Sequence, residues 1–180
     1  MIYYLLSETN YNIISLDRLD YSGSYNRIHQ VIEQNEKWKQ RVKIIWYDLR
    51  AEVNIITANQ INKPDIILHL AAASHVDRSI IDPLSFVLDN VVGTVNLLNA
   101  AKEFWKLNNK KNNLFYHVST DEVYGSLEEK GLFLESTPYD PQSPYSSSKA
   151  SSDHFVRAYG ETYGLPYVIT NCSNNFSNHI

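Results

Sequence analysis

The sequence LFYHVSTDEVYG, residues 114–125, places a run of apolar residues directly before a hydroxyl-bearing and acidic segment. Residues 114–118 have the nearly continuous apolar character of a buried strand. Ser119, Thr120, Asp121 and Glu122 follow at the point where that strand leaves the core. Because a doubly wound sheet binds ligands outside the carboxyl ends of its strands, this stretch indicates both the fold and the place of a site.

Four other segments are rich in Ile, Val and aromatic residues and predict strands at residues 12–17, 43–48, 65–70 and 166–171. Helical spacing predicts helices at residues 25–39, 52–61, 84–107 and 144–163, and residues 1–8 are also helix-like. Within 84–107, apolar residues recur at spacings of three and four and predict a stripe facing the sheet: Val87, Val91, Val95, Leu98 and Ala101. Gly164 and Pro166 predict the end of the last helix, and residues 126–143 an exposed loop before it. The alternation predicts an α/β fold with a Rossmann-like, doubly wound parallel sheet.

The composition limits the classes of function. A chain of 180 residues fits one domain, and a formal net charge of −4 lacks the basic field of a nucleic-acid binder. Cys172 is the single cysteine, so an internal disulfide is excluded. We find no secretory signal and no long apolar run, which predicts a cytoplasmic protein without a membrane segment. The six histidines form no metal-binding pattern, so we predict no metal.

Polar residues stand at all five predicted strand ends. At any one end, ordinary turn-forming residues are the simpler interpretation. Five such ends on one edge of a sheet favour a shared pocket. The residues concerned lie in 15–17, 47–48, 69–75, 119–122 and 170–175.

Asp17 ends the first predicted strand and is placed to accept hydrogen bonds from a ribose, which favours NAD over NADP. Arg18 weakens that preference, because an arginine accommodates a 2′-phosphate. The glycine fingerprint of a dinucleotide site lies about 20 residues before this acid, and the six glycines form no G-x-G-x-x-G pattern. We therefore expect a sheet that lacks the first strand and the glycine-rich loop, with residues 1–8 as the remnant of the first helix.

Tyr145 and Lys149 form Tyr-x-x-x-Lys at the start of the last predicted helix, where a spacing of four puts both on one face. A nearby ammonium lowers the pKa of a phenol, so we expect Lys149 to lower the pKa of Tyr145 and to make it a base for an alcohol. Chance alone produces this spacing easily, but here it follows the acid pair by one strand-to-helix unit.

Two stretches have a structural and a functional interpretation that the sequence leaves open. Ser119 to Glu122 is either a capping box at a helix start or a pair of acids with separated pKa values, one an acid and one a base. Ser74 and His75 follow three alanines, which either pack a strand-to-helix turn or let the backbone approach a cofactor.

Five segments in this order resemble the extended short-chain dehydrogenase/reductases, and among them the dTDP-glucose 4,6-dehydratases: HLAAASHVDRSI (69–80), NVVGT (90–94), STDEVYG (119–125), SPYSSSKASSDH (143–154) and YGLPYVITNCSNN (163–175). The resemblance implies a tightly bound NAD and a nucleotide-sugar substrate. It implies that Tyr145, with Lys149 and Thr120, takes the proton of the sugar 4-hydroxyl. Glu122 would remove the C5 proton and Asp121 would protonate the departing 6-hydroxyl.

The resemblance also implies binding positions. Those for NAD are Asp17, Arg18, Asp48, Leu49, Leu70, Ala71, Ala72, Ser74, Tyr145, Lys149 and Asn175. Those for the substrate are Ser74, Asp121, Asn174 and Asn175. Sugar-nucleotide epimerases and reductases of the same fold remain an alternative, although they usually lack the Asp-Glu pair.

The sequence departs from the family pattern in three respects. The first strand and glycine loop are missing, and the match stops at Asn175, so residues 1–180 are expected to be a partial NAD(P)-binding Rossmann domain without the substrate domain. Ala73 stands where glutamate is common, and Asp89 where threonine is common. We therefore expect the isolated chain to be inactive. A non-catalytic remnant, a homodimer and a complementing fragment that supplies the missing strand all remain open.

Overall fold

The structure is a computed structural model that describes residues 1–20, 23–106, 112–127 and 131–175. It divides into two compact units, Met1–Asp48 and Leu49–Ile180. All five predicted strands are present, and every pair of neighbouring strands is parallel. The end of the family match at residues 176–180 lies outside the described residues.

The first unit contains α1 (Ile2–Glu8), β1 (Ile13–Asp17), α2 (Tyr25–Ile32), α3 (Glu36–Lys39) and β2 (Val42–Trp46). The single helix predicted at residues 25–39 is wrong, because Asn35 starts a new helix. Its side chain accepts a hydrogen bond from the N–H of Lys37, so it caps α3 and interrupts the helical hydrogen bonds. Arg41 donates to the carbonyls of Leu6, Thr9 and Tyr11 and so fixes the segment after α1.

The second unit contains α4 (Ile55–Ile61), β3 (Ile66–His69), α5 (Val76–Ile81), α6 (Pro83–Phe86), a π turn (Val87–Val92) and α7 (Gly93–Trp105). After these come β4 (Leu114–Thr120), a 3₁₀ turn (Asp121–Tyr124), α8 (Pro144–Tyr163) and β5 (Tyr167–Cys172). The core lies where the sheet meets α7 and α8 and consists of Leu97, Leu98, Ala101, Trp105, Phe115, Val156 and Leu165.

The strands form two sheets, one in the order β1-β2 and one in the order β3-β4-β5. Removing strand 1 from a 3-2-1-4-5-6 sheet leaves the pairs 3-2 and 4-5-6, which is the pairing seen in these two sheets. The predicted Rossmann-like sheet without its first strand is therefore confirmed.

Residues 84–107 do not form the single helix that their spacing predicts. A π turn has more residues than an α turn, so it shifts the helix face on either side of Val87–Val92. Leu98 and Ala101 are fully buried as expected, but Val87 at the start of the predicted stripe is 43% exposed. The prediction for Val87 is therefore wrong.

The helical segment Pro83–Trp105 is long and apolar enough to cross a membrane by length and composition alone, with a mean hydropathy of 1.2. Its buried polar residues indicate a core helix instead. Asn90, Thr94 and Asn96 are all buried and hydrogen-bonded within the second unit.

Candidate active site

The start of α8 positions the two residues of the Tyr-x-x-x-Lys pattern. Ser143 caps the helix by accepting a hydrogen bond from the N–H of Ser146, and Pro144 occupies the first turn. The helix runs over Pro144–Tyr163 as predicted and ends at Gly164, whose φ of +68° is left-handed. Tyr145 and Lys149 are both buried, one turn apart on the face that packs on the sheet.

Lys149 is fixed by the strand beside it. Its Nζ donates a 2.8 Å hydrogen bond to the carbonyl of Val118 in β4. Burial lowers the pKa of Lys149 to about 8, against the opposing charges of Asp153 and Cys172. The ammonium is thus held beside β4, close to the strand end that Asp121 and Glu122 follow.

Thr120 connects the strand end to Tyr145. Its hydroxyl lies 3.3 Å from Asp121 Oδ1 and accepts from the N–H of Glu122 at 3.3 Å. The Thr120 hydroxyl also favours the phenolate of Tyr145, so the two side chains lie near each other. Thr120 therefore caps the 3₁₀ turn, and the capping-box interpretation of Ser119 to Glu122 is wrong, because the Ser119 hydroxyl donates to Asp153 instead.

The electrostatics of Tyr145 differ from the sequence prediction. Burial raises the pKa of Tyr145, and the hydrogen bond from Thr120 opposes that rise, while the nearby charges of Glu122, Cys172 and Asp121 add to it. The Lys149 ammonium donates to the Val118 carbonyl. The pKa of Tyr145 is thus raised where the sequence predicted that it is lowered, because burial outweighs the groups that favour the phenolate.

Within the acid pair, Glu122 has a shifted pKa. Burial, and then the charge of Asp121, raise the pKa of Glu122, although its side chain is exposed. A raised pKa makes Glu122 a stronger base than an ordinary glutamate. Thr120, Asp121, Glu122, Tyr145 and Lys149 thus lie together at the end of β4 and the start of α8, and we call these residues the β4–α8 cluster.

The strand end after β3, residues 70–75, carries the predicted cofactor positions and is called the β3 loop. Leu70, Ala71, Ala72 and Ser74 are exposed there, so their surfaces are accessible to a ligand. Ala73, which departs from the family pattern, is half-buried and hydrogen-bonded through its backbone. Asn174 and Asn175 are also exposed, and Asn175 donates to the carbonyl of Ser173.

The remaining predicted positions lie at the ends of β1 and β2. In the first unit, Asp17 Oδ1 accepts a 2.7 Å hydrogen bond from the N–H of Leu19, and Arg18 pairs with Asp20 at 2.7 Å. Asp48 closes this unit and is half-buried. Leu49 opens the second unit, where its carbonyl accepts a hydrogen bond from Asn96.

Sequence reasoning missed Asn90, which lies within the π turn and is buried. Its side chain hydrogen-bonds both the N–H and the carbonyl of Ala73, at 2.8 and 2.9 Å, and donates to Ser148 Oγ at 2.8 Å. Ser148 in turn donates to the carbonyl of Tyr145. Asn90 therefore joins the β3 loop to the helix of Tyr145 and Lys149. Because these partners lie 17 and 58 residues away in the chain, no local sequence pattern indicated this role.

A second missed group surrounds Asp153 on α8. This carboxylate accepts hydrogen bonds from Ser119, Tyr139 and Asn171, and its other oxygen lies 3.1 Å from His117 Nε2. Asp153 and His117 are both fully buried. Neither residue had a sequence pattern that pointed to the site.

Asp89, the other departure from the family pattern, lies in the π turn and pairs with Arg50 at 2.6 Å. The pair connects the segment that follows β2 to this turn within the second unit.

Residues 1–179 match the family model described as GDP-mannose 4,6 dehydratase. The chain belongs to this family. It is 43% identical to dTDP-glucose 4,6-dehydratase 1 of Escherichia coli, in an alignment that covers 98% of the chain and 51% of that protein. The resemblance to dTDP-glucose 4,6-dehydratases is therefore confirmed, and the chain spans about half the length of the curated dehydratases it matches.

Solved structures of the dehydratase fold support the same relationship. The dTDP-glucose 4,6-dehydratase DesIV of Streptomyces venezuelae, crystallised with NAD, matches with a TM-score of 0.84 and 37% identity over 98% of the chain and 52% of that protein. The UDP-glucose 4-epimerase of Thermus thermophilus, also with NAD, has a TM-score of 0.74 and 26% identity over 93% of the chain and 48% of that protein. The dehydratase is closer by both measures.

Proposed function

We propose that this chain carries the catalytic residues of an NAD-dependent dTDP-glucose 4,6-dehydratase, which converts dTDP-glucose to dTDP-4-keto-6-deoxyglucose with loss of water. The observation that carries the proposal is the β4–α8 cluster. It places the hydroxyl of Thr120 and the phenol of Tyr145 beside two adjacent carboxylates at one strand end. The Asp121-Glu122 pair supports a dehydratase over an epimerase or reductase, because elimination of water needs an acid and a base.

The residues have separate roles in this proposal. Tyr145 takes the proton of the sugar 4-hydroxyl, and Thr120 favours its phenolate. Once C4 is a ketone the C5 proton is acidic, and Glu122 removes it, favoured by its raised pKa. Asp121 gives a proton to the departing 6-hydroxyl. Lys149 provides a fixed positive charge close to the strand end.

The residues present fit part of an NAD molecule. The exposed β3 loop offers small side chains and accessible backbone, and the Asp17 carboxylate suits a ribose. In the second unit, the proposed NAD positions are Leu49, Leu70, Ala71, Ala72, Ser74, Tyr145, Lys149 and Asn175. In the first unit, they are Asp17, Arg18 and Asp48. A bound NAD would supply the hydride acceptor for C4 and the hydride donor for C6. The six glycines of the chain form no fingerprint for the pyrophosphate.

The proposal extends to substrate and partners. Ser74, Asp121, Asn174 and Asn175 are the proposed contacts of the nucleotide sugar, and the location is the cytoplasm. β3 pairs with β4 on one side only among the described strands, which supports a complementing segment that adds a strand. Exposed Ile80, Ile81 and Leu84 support self-association into a homodimer.

The decisive experiment uses purified chain with NAD and dTDP-glucose, assayed for the 4-keto product. Because the chain has no glycine fingerprint, we expect no measurable turnover by itself, and we expect turnover when a segment carrying the first strand and glycine loop, and the substrate domain, is joined to it. Product formed by the unmodified chain would refute the predicted inactivity. Failure of the completed chain to form product would refute the proposed dehydratase function.

The roles of the two acids are tested in the completed chain. Glu122→Gln should abolish loss of water while C4 oxidation, seen as NADH absorbance, continues. Glu161→Gln is the matched control, because Glu161 is an exposed glutamate on α8 outside the cluster. Unchanged dehydration in Glu122→Gln would remove Glu122 as the base.

A further inference from the structure

Asp153 is a buried acid on α8, four residues after Lys149, and the mechanism above leaves it without a role. A spacing of four puts the two side chains on one helix face, with Cβ atoms about 6 Å apart. They approach consecutive residues of the same strand. Lys149 donates to the carbonyl of Val118, and Asp153 accepts from the hydroxyl of Ser119 at 2.8 Å.

The acid is held by neutral donors from several elements. Besides Ser119 in β4, Tyr139 in the segment before α8 donates at 2.9 Å, and Asn171 in β5 lies at 3.4 Å. Asn171 also donates to the carbonyl of Thr120, so the same group of residues reaches the β4–α8 cluster. These bonds stabilise a carboxylate in the interior, but they supply no positive charge.

The nearest imidazole does not supply that charge. His117 Nε2 lies 3.1 Å from Asp153 Oδ1, without the geometry of a hydrogen bond. Burial lowers the pKa of His117, against the opposing effect of Asp153, and so favours the neutral ring. Burial places the pKa of His69, beside His117, well below its ordinary value. Among the described residues, Lys149 is then the buried cation close to Asp153, since Arg157 on the next turn is exposed.

We propose that Asp153 is a positioning residue of the site, the buried counter-charge that keeps the Lys149 ammonium protonated against the Val118 carbonyl. A buried ammonium without a compensating charge would lose its proton or turn away from the interior. With Asp153 one turn away, the cation stays at the end of β4. Its importance for catalysis rests on the proposed function, whereas its effect on Lys149 does not.

The groups that interact electrostatically with Lys149 come from four elements. Asp153 lies on α8, His117 on β4, His69 on β3 and Cys172 on β5. The pKa values of both imidazoles are lowered by burial, and a proton on either ring would act against the ammonium. Asp153 is the largest of the charges that favour protonated Lys149, ahead of Cys172.

The test is a titration of Lys149 in the full chain, followed by the ¹³C shift of its ε carbon and assigned with Lys149→Met. Lys149 should titrate near pH 8 in the unchanged chain, and Asp153→Asn should lower the midpoint by about one unit or more. Asp153→Glu, which keeps the charge, should restore most of the shift, and Glu161→Gln should change nothing. An unshifted midpoint in folded Asp153→Asn would overturn the proposal. The titration needs no turnover, so an inactive enzyme would not affect its outcome.

Removal of a buried charge can also unfold the protein, and a second comparison covers that case. If Asp153→Asn alone does not fold, the double variant Asp153→Asn with Lys149→Met should fold, because it leaves no unpaired buried charge. Failure of the double variant to fold would overturn the proposal, since the carboxylate would then be needed for its hydrogen bonds and not for its charge.

Discussion

The β4–α8 cluster and the β3 loop differ in how far the chain itself fixes their side chains. Thr120, Tyr145 and Lys149 are at most 8% exposed. The side chains of Thr120 and Lys149 and the backbone N–H of Tyr145 have hydrogen-bond partners within the second unit. In the β3 loop Leu70 is 51% exposed, and the contact that fixes the loop is the one from Asn90 to the backbone of Ala73. Thr120, Tyr145 and Lys149 are thus positioned by packing, whereas the β3 loop is positioned through the backbone of Ala73.

Replacing Asn90 should have the largest effect, because it removes the connection between the two regions. Asn90→Ala leaves the N–H and carbonyl of Ala73 and the hydroxyl of Ser148 without their partner, and we expect a loss of about 3 kcal/mol in the free energy of unfolding. Denaturant unfolding measures the loss, and hydrogen exchange should show the Ala73 amide deprotected. Asn59→Ala, at an exposed position on α4, is the control. An Ala73 amide as protected as before would contradict the role given to Asn90.

Gly125, which follows the acid pair, should tolerate no side chain. Its φ is +89°, and an added Cβ would lie 2.8 Å from the carbonyl oxygen of Asp140. Gly125→Ala should therefore cost about 2 kcal/mol or slightly more, from backbone strain and the displaced carbonyl. Gly164→Ala is the matched comparison, because Gly164 has a φ of +68° with no atom within 4 Å, and should cost about 1 kcal/mol. Equal losses in unfolding experiments would mean that the contact with Asp140 has no effect.

The free energy of unfolding of the protein should rise with pH because of Lys149. Its pKa is about 8 in the folded chain and 10.5 as the ordinary value, so the unfolded chain binds more protons between these values. The free energy of unfolding should rise by about 1.5–2 kcal/mol from pH 7.5 to 9.5, below the range in which the raised pKa values of Tyr139 and Tyr145 act. Lys149→Met should remove this rise, and a rise that persists in that variant would assign it to another group.

The smallest effect is expected in the β3 loop. Leu70→Ser exchanges an exposed side chain that contributes little to packing, so the free energy of unfolding should change by less than about 0.5 kcal/mol. Binding of NAD to the completed chain should weaken instead. A large loss of stability without a change in NAD binding would show that Leu70 is positioned by packing, like the buried residues of the β4–α8 cluster. That result would contradict the difference between the two regions.

The sequence predicted those parts of the fold that local signals determine. α8 was predicted with its bounds because Ser143, Pro144 and Gly164 are start and stop signals. The break before α3 was missed although Asn35 is a capping residue, because the apolar spacing continued across it. The π turn had no local signal, since its residues satisfy helical spacing equally well. α5 (Val76–Ile81) was missed because it is too short for periodicity to identify.

The site was predictable in its residue types and less so in its contacts. The spacing of Tyr145 and Lys149 and the strand-end position of Thr120 brought the cluster together correctly. The direction in which Lys149 points depends on the carbonyl of Val118, which no spacing rule provides. Asn90 and Asp153 act through partners more than 10 residues away in the chain, so their importance was visible only once those partners were placed.

The π turn also constrains how this sequence can change in length. A deletion of one residue within Val87–Val92 would be compatible with an ordinary α-helix, and by local propensity alone it would be harmless. Because a π turn contains one residue more than an α turn, this deletion would keep the flanking helix faces in register, and Leu98 and Ala101 would stay in the core. The change would fall within the turn, where Asn90 holds the backbone of Ala73. The extra residue therefore matters for the contacts that the turn makes, and not for the core face of α7.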